Sequence, residues 1–153
     1  MTENQKADHP GRELITFRVG EGEFGLDVMS VREIRGWTPA TPVPGSPPFV
    51  RGVINLRGQV LPILDLAARL GLPPADPGAR HVTIVTRIGG QTIGLLVDAV
   101  SDILSVAEEA VQPTPEAASE GVRALVRGLL ALEGRMVGIV ALDRLLPKVA
   151  EAA

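Results

Sequence analysis

The sequence contains no cysteine and only two histidines, His9 and His81. The absence of cysteine excludes disulfides, thiolate nucleophiles and cysteine-based metal sites, and two imidazoles leave little material for histidine chemistry. The longest apolar run, residues 136–142, has seven residues, whereas a membrane-spanning helix needs about 20. Residues 1–13 mix charges of both signs without an apolar run, which fits neither a signal peptide nor a membrane anchor. We therefore expect a soluble, cytoplasmic protein that does not insert into the membrane.

Aromatic residues and positive charge are also scarce. The aromatic side chains are Phe17, Phe24, Phe49 and Trp37, and the formal net charge is -3. Nucleic-acid binding usually needs a positive field and aromatic stacking surfaces, so this class of partner is disfavoured. With 153 residues, of which 45% are hydrophobic, the chain is long enough for one sizeable core or two small packed subdomains.

Alternating apolar residues indicate β-strands over residues 14–19 and 24–28. The Gly20-Glu21-Gly22 segment between them tolerates positive φ, which a tight hairpin needs. The segment also formally matches the G-x-G-x-x-G dinucleotide fingerprint, but it opens no helix, so we interpret it as a turn. Further hairpins are predicted around Arg57-Gly58, around Gly89-Gly90 and after residue 121. In the first of these, we expect Gly58 to supply the turn conformation that arginine does not adopt cheaply.

Short helices are predicted beside these hairpins. Apolar residues recur at every third position from Val28 to Ile34, behind Asp27, which suits one helical turn capped by that carboxylate. A second short helix is expected after Asp65, which would cap it in the same way. A further helical stretch is expected over residues 99–104.

Two segments of the first half recur in the second half. Residues 50–58 match residues 126–134 at a shift of 76 positions, and residues 26–34 match residues 95–103 at a shift of 69. Repeats at this spacing indicate duplication of one unit. Because about five short strands cannot cover both faces of an open sheet, we predict an all-β fold with short helices, made of two small packed barrels. The predicted division is barrel subdomains at about 13–75 and 80–148, a disordered N-terminal tail at 1–12 and a C-terminal tail at 149–153.

An enzymatic interpretation finds little support in the residues. The sequence has no Walker phosphate loop and no G-x-S-x-G elbow around its five serines. His81 begins a predicted strand without a nucleophile beside it. Asp98 and Asp102 would share one face of the predicted helix, and Glu108 adjoins Glu109, so acidic pairs could serve acid–base chemistry or a divalent ion. Solvated faces explain these pairs more simply, and a small-barrel nucleotide- or metal-binding enzyme is a remote alternative.

Five residues have both a structural and an interface interpretation. Val28, Val31 and Ile34 fit either a core face or a partner-binding groove. Glu33 fits an exposed ion pair of small energetic value or the charged rim of an interface. Arg57 fits a solvated turn residue or a cation that binds a carboxylate of another chain.

Six motifs follow one another along the chain: G-L-D-V at 25–28, V-R-E-I-R-G at 31–36, G-V-I-N-L-R-G at 52–58, P-I-L-D-L at 62–66, V-D-A-V-S-D at 97–102 and G-L at 128–129. In this order, and over about residues 12–148, they strongly resemble the CheW family of chemotaxis coupling proteins. The resemblance implies a non-enzymatic adaptor of two packed five-stranded barrels of the Src-homology-three type, without catalytic residues, cofactor or metal. It also implies two partners, the cytoplasmic tip of methyl-accepting chemoreceptors and the regulatory domain of the histidine kinase CheA, at membrane-associated receptor arrays.

Functional residues of the family are carried over to this chain by position. The resemblance implies a receptor-binding groove between the barrels, formed by Val28, Val31, Glu33, Ile34, Arg57, Val97 and Val100. It implies kinase contacts at Ala40, Thr41 and Arg57, next to a stretch at 39–48 that is unusually rich in proline for the family. Residues 137–143 depart from the regular I-L-D pattern, which we interpret as drift in a core strand. The alternative function is that of a CheW-like adaptor in a pilus or other non-flagellar pathway.

Overall fold

The computed structural model describes residues 12–78 and 80–145, and the two predicted tails lie almost entirely outside them. The strands are β1 Arg12–Val19, β2 Gly22–Asp27, β3 Val31–Gly36, β4 Val50–Leu56, β5 Gln59–Asp65, β6 Val82–Ile88, β7 Gln91–Val97, β8 Ala99–Val106, β9 Val111–Gln112, β10 Val126–Leu132 and β11 Arg135–Val140. The helices are α1 Leu66–Arg69 and α2 Glu120–Leu125, with 3-10 turns at Val28–Ser30, Glu108–Ala110 and Leu142–Arg144. None of the helices in these described ranges has the length and apolar character that crossing a bilayer requires.

The strands form two sheets, and each sheet takes strands from both halves of the sequence. One sheet has six strands in the order β8-β1-β2-β11-β10-β9, and the other has five in the order β3-β6-β7-β5-β4. Two parallel pairings, β2 with β11 and β5 with β7, join the halves, while the hairpins are antiparallel. The six-stranded sheet therefore combines β1 and β2 of the first half with β8 to β11 of the second half. The five-stranded sheet combines β6 and β7 of the second half with β3 to β5 of the first half. The sequence boundary near residues 75–80 does not separate the sheets, because these parallel pairings cross it.

Within residues 12–78 and 80–145, three clusters of buried side chains fill the interior. Side chains of both sheets share the largest cluster, which includes Phe17 and Leu26 from one sheet and Ile84 and Leu95 from the other. Each sheet also covers a cluster of its own. These smaller clusters are Leu14, Val106, Leu130, Val137 and Ile139 in the six-stranded sheet, and Leu56, Leu61, Ile63, Val85 and Leu96 in the five-stranded sheet. The predicted all-β fold of two packed, duplicated units is confirmed, with β9 as one strand more than expected.

Local turn and cap chemistry is as the sequence predicts. Gly20 has a φ of 60° in the turn between β1 and β2, so the glycine-rich segment is a hairpin turn and not a nucleotide fingerprint. The Asp27 carboxylate accepts a hydrogen bond from the Met29 amide at 2.9 Å and begins the 3-10 turn. Asp65 caps α1, and Gly71, with a φ of 84°, follows that helix.

Two predicted helical stretches are strands instead. Residues 31–34 belong to β3, and residues 99–104 belong to β8. Each strand has a bulge: Val31 and Glu33 face the adjacent residues Thr86 and Val85 of β6, so β3 carries one extra residue there. Without a bulge, side chains three residues apart in a strand point to opposite faces. The extra residue of the bulge brings them to the same face, so an extended strand shows the three-residue spacing that is typical of a helix.

Sequence analysis does not predict helix α2, because it indicates only a hairpin after residue 121. The helix begins behind Ser119, whose hydroxyl accepts a hydrogen bond from the Val122 amide at 3.3 Å. Serine at this position satisfies a free amide of the first turn. The helix has six residues, which is too short for a periodic apolar pattern to be visible in the sequence.

Candidate functional site

Glu33 on β3 and Arg57 in the turn after β4 form an ion pair. Nη2 of Arg57 lies 2.5 Å from Oε1 of Glu33, and Nη1 of Arg35 lies 3.2 Å from the other carboxylate oxygen. The hydrogen bond from Arg57, followed by that from Arg35, lowers the pKa of the Glu33 carboxyl group. The same bond raises the pKa of the Arg57 guanidinium. The site therefore combines a firmly ionised carboxylate with two cations at the surface.

The backbone of Arg57 adopts the left-handed conformation. Its φ is 50° and that of Gly58 is 86°, which are the values of a two-residue type I′ hairpin turn. The expectation that Gly58 takes this conformation is confirmed, and Arg57 takes it as well, because both central residues of this turn need positive φ. The left-handed region costs a residue with a side chain about 1–2 kcal/mol. Since 68% of the Arg57 side chain is still exposed, its guanidinium can bind a second carboxylate.

The apolar side chains of β3 lie on the other face of the strand from Glu33, which is paired with Val85. Because of the bulge, Val31 and Ile34 share the face that is turned to the shared core, where Ile34 pairs with the buried Ile84. Val31 is half-buried and packs against the shared core, whereas 43% of Ile34 is exposed. Val28 is half-buried in the 3-10 turn that leads into β3. The predicted receptor residues of the first half thus form a surface with one exposed apolar side chain.

The predicted receptor residues of the second half differ in accessibility. Val100 on β8 is half-buried against the shared core. Val97 ends β7 and is 1% exposed within the shared core, so it is removed from the candidate surface. Sequence analysis missed Ile103, which lies on the same face of β8 as Val100 and is 57% exposed. The repeat could have identified it, because a shift of 69 residues places Ile103 at the position of Ile34.

The predicted kinase residues Ala40 and Thr41 lie in the loop between β3 and β4. Thr41 is exposed and pairs with Val53 of β4 through two backbone hydrogen bonds of 2.8 and 2.9 Å. Ala40 packs against the core of the five-stranded sheet. Gly52 permits this close approach, because a Cβ atom there would overlap the Thr41 carbonyl oxygen. Arg57 follows Val53 by four residues, about 13 Å along an extended chain, so the predicted kinase residues Thr41 and Arg57 lie within the width of one ordinary interface.

A second acid–arginine cluster lies in the six-stranded sheet. Arg135, in the hairpin of β10 and β11, pairs with Asp102 of β8 at 3.2 Å and also with Glu23 of β2. Arg135, followed by the hydroxyl of Thr16, lowers the pKa of the Asp102 carboxyl group. Asp102 is at the repeat position of Glu33, so both halves place an acid on the third strand and an arginine on the following hairpin. The predicted sharing of a helix face by Asp98 and Asp102 is wrong, because β8 is extended.

His81 and Asp98 border a cavity of about 550 Å³. Nε2 of His81 lies 3.4 Å from Oδ1 of Asp98, while Nδ1 accepts a hydrogen bond from the Gly78 amide. Asp98 also accepts a hydrogen bond from the Gly20 amide at 2.9 Å, which joins the β1–β2 turn to the end of β7. The rest of the described lining is Glu21, Ala67, Leu72, Pro73, Pro74, Ala75 and Asp76. Within the described residues, no three acidic or histidine side chains come together as a metal ion would need.

A model of the CheW-like domain matches residues 13–150 of the sequence. The chain belongs to the CheW-like domain family. It is 59% identical over 137 residues to the chemotaxis protein CheW of Rhizobium meliloti (strain 1021), covering 90% of this chain and 88% of that protein. It is 31% identical over 138 residues to the chemotaxis protein CheW of Bacillus subtilis (strain 168), covering 90% of this chain and 88% of that protein.

A solved CheW structure has the same fold. The crystal structure of the scaffolding protein TtCheW from Thermoanaerobacter tengcongensis matches with a TM-score of 0.80 and 31% sequence identity, covering 88% of this chain and 92% of the other. The resemblance to the CheW family and the expected fold class are therefore confirmed. The expectation of a non-enzymatic chain agrees with the family and with the description of this neighbour as a scaffolding protein.

Proposed function

We propose that the chain is a non-enzymatic adaptor that couples chemoreceptors to the histidine kinase CheA in bacterial chemotaxis. The names of its relatives, chemotaxis protein CheW and scaffolding protein, support a role in this signalling system. The observation that carries the proposal is the exposed Ile34 on the edge strand β3, next in the chain to Glu33 of the Glu33–Arg57 pair. An apolar centre with a charged rim is the usual composition of a protein-binding surface.

The receptor tip is proposed to dock on the edge strand β3. A helical hairpin presents an apolar stripe, which Ile34 and the partly exposed Val31 would contact. Glu33 and Arg57 would then fix the register of the helices through charged contacts at the rim. Val28, Val100 and Ile103 extend the proposed surface with further half-buried or exposed apolar side chains.

The kinase regulatory domain is proposed to contact the loop that carries Ala40 and Thr41. Thr41 is exposed, and its backbone is held by Val53, so the loop offers a fixed edge to a partner. The proposed kinase contacts also include Arg57, at the border of the receptor surface, and receptor and kinase are proposed to bind the chain at the same time. Simultaneous binding would recruit the chain to membrane-associated receptor arrays, where many weak contacts add up through multivalency.

Co-sedimentation tests this proposal directly. The full chain is mixed with receptor fragments displayed on vesicles and with a soluble CheA regulatory fragment. We expect the kinase fragment to sediment with the receptor only when the chain is present. Failure of the chain to sediment with either fragment would contradict the adaptor function.

A second candidate function differs from the first only in the output of the signalling pathway. An adaptor of the same family could serve a pilus or another non-flagellar output, with the same partners in kind. Deletion of the gene, followed by assays of swimming and of surface motility, distinguishes these outputs. Loss of directed swimming alone supports the flagellar pathway, and loss of surface motility alone supports the alternative.

A further inference from the structure

The side chain of Arg51 on β4 joins three separate segments. Its guanidinium carbon lies 6.0 Å from the centre of the Trp37 ring, within the range of a cation–π contact. Its Nε lies 3.6 Å from Oδ2 of Asp65, and its Nη2 donates a hydrogen bond to the carbonyl oxygen of Ala75. The residue thus contacts the start of the proposed kinase loop, the cap of α1 and the segment after it.

The anchor for Arg51 is a buried carboxylate. Only 3% of the Asp65 side chain is exposed, compared with 29% of the Arg51 side chain. Asp65 also accepts hydrogen bonds from the amides of Ala68 and Ala75, at 3.4 and 2.9 Å, so its orientation is fixed from two sides. The 3.6 Å between Nε of Arg51 and Oδ2 of Asp65 exceeds hydrogen-bond length, so the buried anion attracts the guanidinium by charge, while the hydrogen bond to the Ala75 carbonyl oxygen holds it beside the Trp37 ring.

Trp37 connects Arg51 to the loop that carries Ala40 and Thr41. It follows β3 directly, and its amide donates a hydrogen bond to the carbonyl oxygen of His81 at 3.1 Å. Trp37 and Ala40 both pack against the core of the five-stranded sheet. Arg51 therefore lies under the residue from which the chain leads to Ala40 and Thr41.

The equivalent arginine of the second half has different partners. Arg127 occupies the same V-R-G motif, and its side chain is 25% exposed, close to the value for Arg51. It pairs with Glu108, whose side chain is 52% exposed. At the repeat position of Asp65 the second half has Ala141, which provides no side-chain cap. The contacts with an aromatic ring and a buried carboxylate are therefore particular to Arg51.

We propose that Arg51 is a positioning residue that holds Trp37 and thereby sets how Ala40 and Thr41 are presented to the kinase. The inference rests on the proposed function of the loop. It assigns Arg51 no direct contact with either partner. Loss of Arg51 should therefore affect kinase binding and leave receptor binding unchanged, because the proposed receptor surface on β3 and β8 does not include the Trp37 ring.

The test compares Arg51→Gln, Arg51→Lys and the matched control Arg127→Gln in the full chain. Affinities for the kinase and receptor fragments are measured separately, and the emission and acrylamide quenching of Trp37, the only tryptophan, report on the ring itself. We expect Arg51→Gln to weaken kinase binding about tenfold, with receptor binding within about twofold of the original chain. Emission of Trp37 should shift to longer wavelength, and its quenching should increase. Arg51→Lys keeps the charge beside Asp65 and should restore part of the kinase affinity, whereas Arg127→Gln should change none of the three readouts.

Two results would overturn the inference. One is an equal loss of both affinities in Arg51→Gln and Arg51→Lys, which would indicate a general effect on folding. The other is unchanged Trp37 emission and quenching in folded Arg51→Gln. If the original chain does not bind the kinase fragment, the proposed function fails, and the Trp37 readout still decides the positioning role. If Arg51→Gln does not fold, Arg51→Met, which keeps the aliphatic part of the side chain without the charge, takes its place in the comparison.

Discussion

Glu33 and Arg57 connect the two opposite edges of the five-stranded sheet. Glu33 lies on β3, the first strand in the sheet order, and Arg57 follows β4, the last strand. Their contact at 2.5 Å requires the sheet to curl until its edges meet. Curling of this kind protects edge strands from pairing with other chains. The same ion pair thus bridges the two edges of the sheet and borders the proposed receptor surface.

Replacing either residue of this pair should weaken partner binding more than folding. We expect Arg57→Ala and Glu33→Lys to keep a normal melting transition, because both side chains are at the surface and exposed pairs contribute little to stability. Binding of the receptor or kinase fragment should fall about fivefold or more. Calorimetric melting and pull-downs measure the two effects, with Arg87→Ala, an exposed hairpin arginine, as the control. A collapsed melting transition would assign the pair to the fold instead.

The Glu33 pair should also contribute a pH-dependent part of the stability. The pKa of Glu33 is lower in the folded chain than its ordinary value of 4.5, so its stabilising effect is complete above that value. The effect is lost as the pH falls through the lower pKa of the folded state. Melting of the original chain and of Glu33→Gln, from about pH 7 to about pH 3, should show a difference that shrinks at the acidic end. A difference that grows towards low pH would contradict the assignment.

Val31 and Ile34 should respond differently to polar substitution although they share one face. Val31→Asp places a charge against the shared core, so we expect a loss of about 1–3 kcal/mol in the free energy of unfolding. Ile34→Ser should change stability by about 0.5 kcal/mol or less, while receptor binding weakens. Denaturant unfolding and receptor-fragment binding check both variants. If Val31→Asp alters neither quantity, neither the core nor the groove interpretation holds for that residue.

Gly52 should tolerate no side chain. Its φ is 142°, and an added Cβ would overlap the Thr41 carbonyl oxygen, so Gly52→Ala should break the Thr41–Val53 pairing. We expect a loss on the order of 1–3 kcal/mol in the free energy of unfolding. The control is Gly36→Ala, because no atom lies within 4 Å of a Cβ added there. Faster hydrogen exchange at the Thr41 amide in Gly52→Ala, but not in Gly36→Ala, would locate the damage. Equal exchange in both variants would contradict the role of Gly52.

The two helical stretches predicted at residues 31–34 and 99–104 are wrong for one physical reason. A spacing of three apolar residues indicates a helix when the backbone is considered alone, but a bulge produces the same spacing in a strand. Bulges exist only where a partner strand is present, as β6 is for Val31 and β1 is for Val100. The burial of Val97 has the same origin, because the resemblance supplies its position in the chain but not the neighbours that cover it.

Residue order alone determined the duplication, the hairpin turns, the Asp27 and Asp65 caps and the family. Each of these depends on neighbouring residues or on spacing along the chain, so no partner element is needed to identify it. Only the tertiary structure decided that the halves exchange strands, that Arg57 reaches Glu33 and that Arg51 lies beneath Trp37. These contacts join segments that are far apart along the chain, and they form only when particular sheet edges and faces meet.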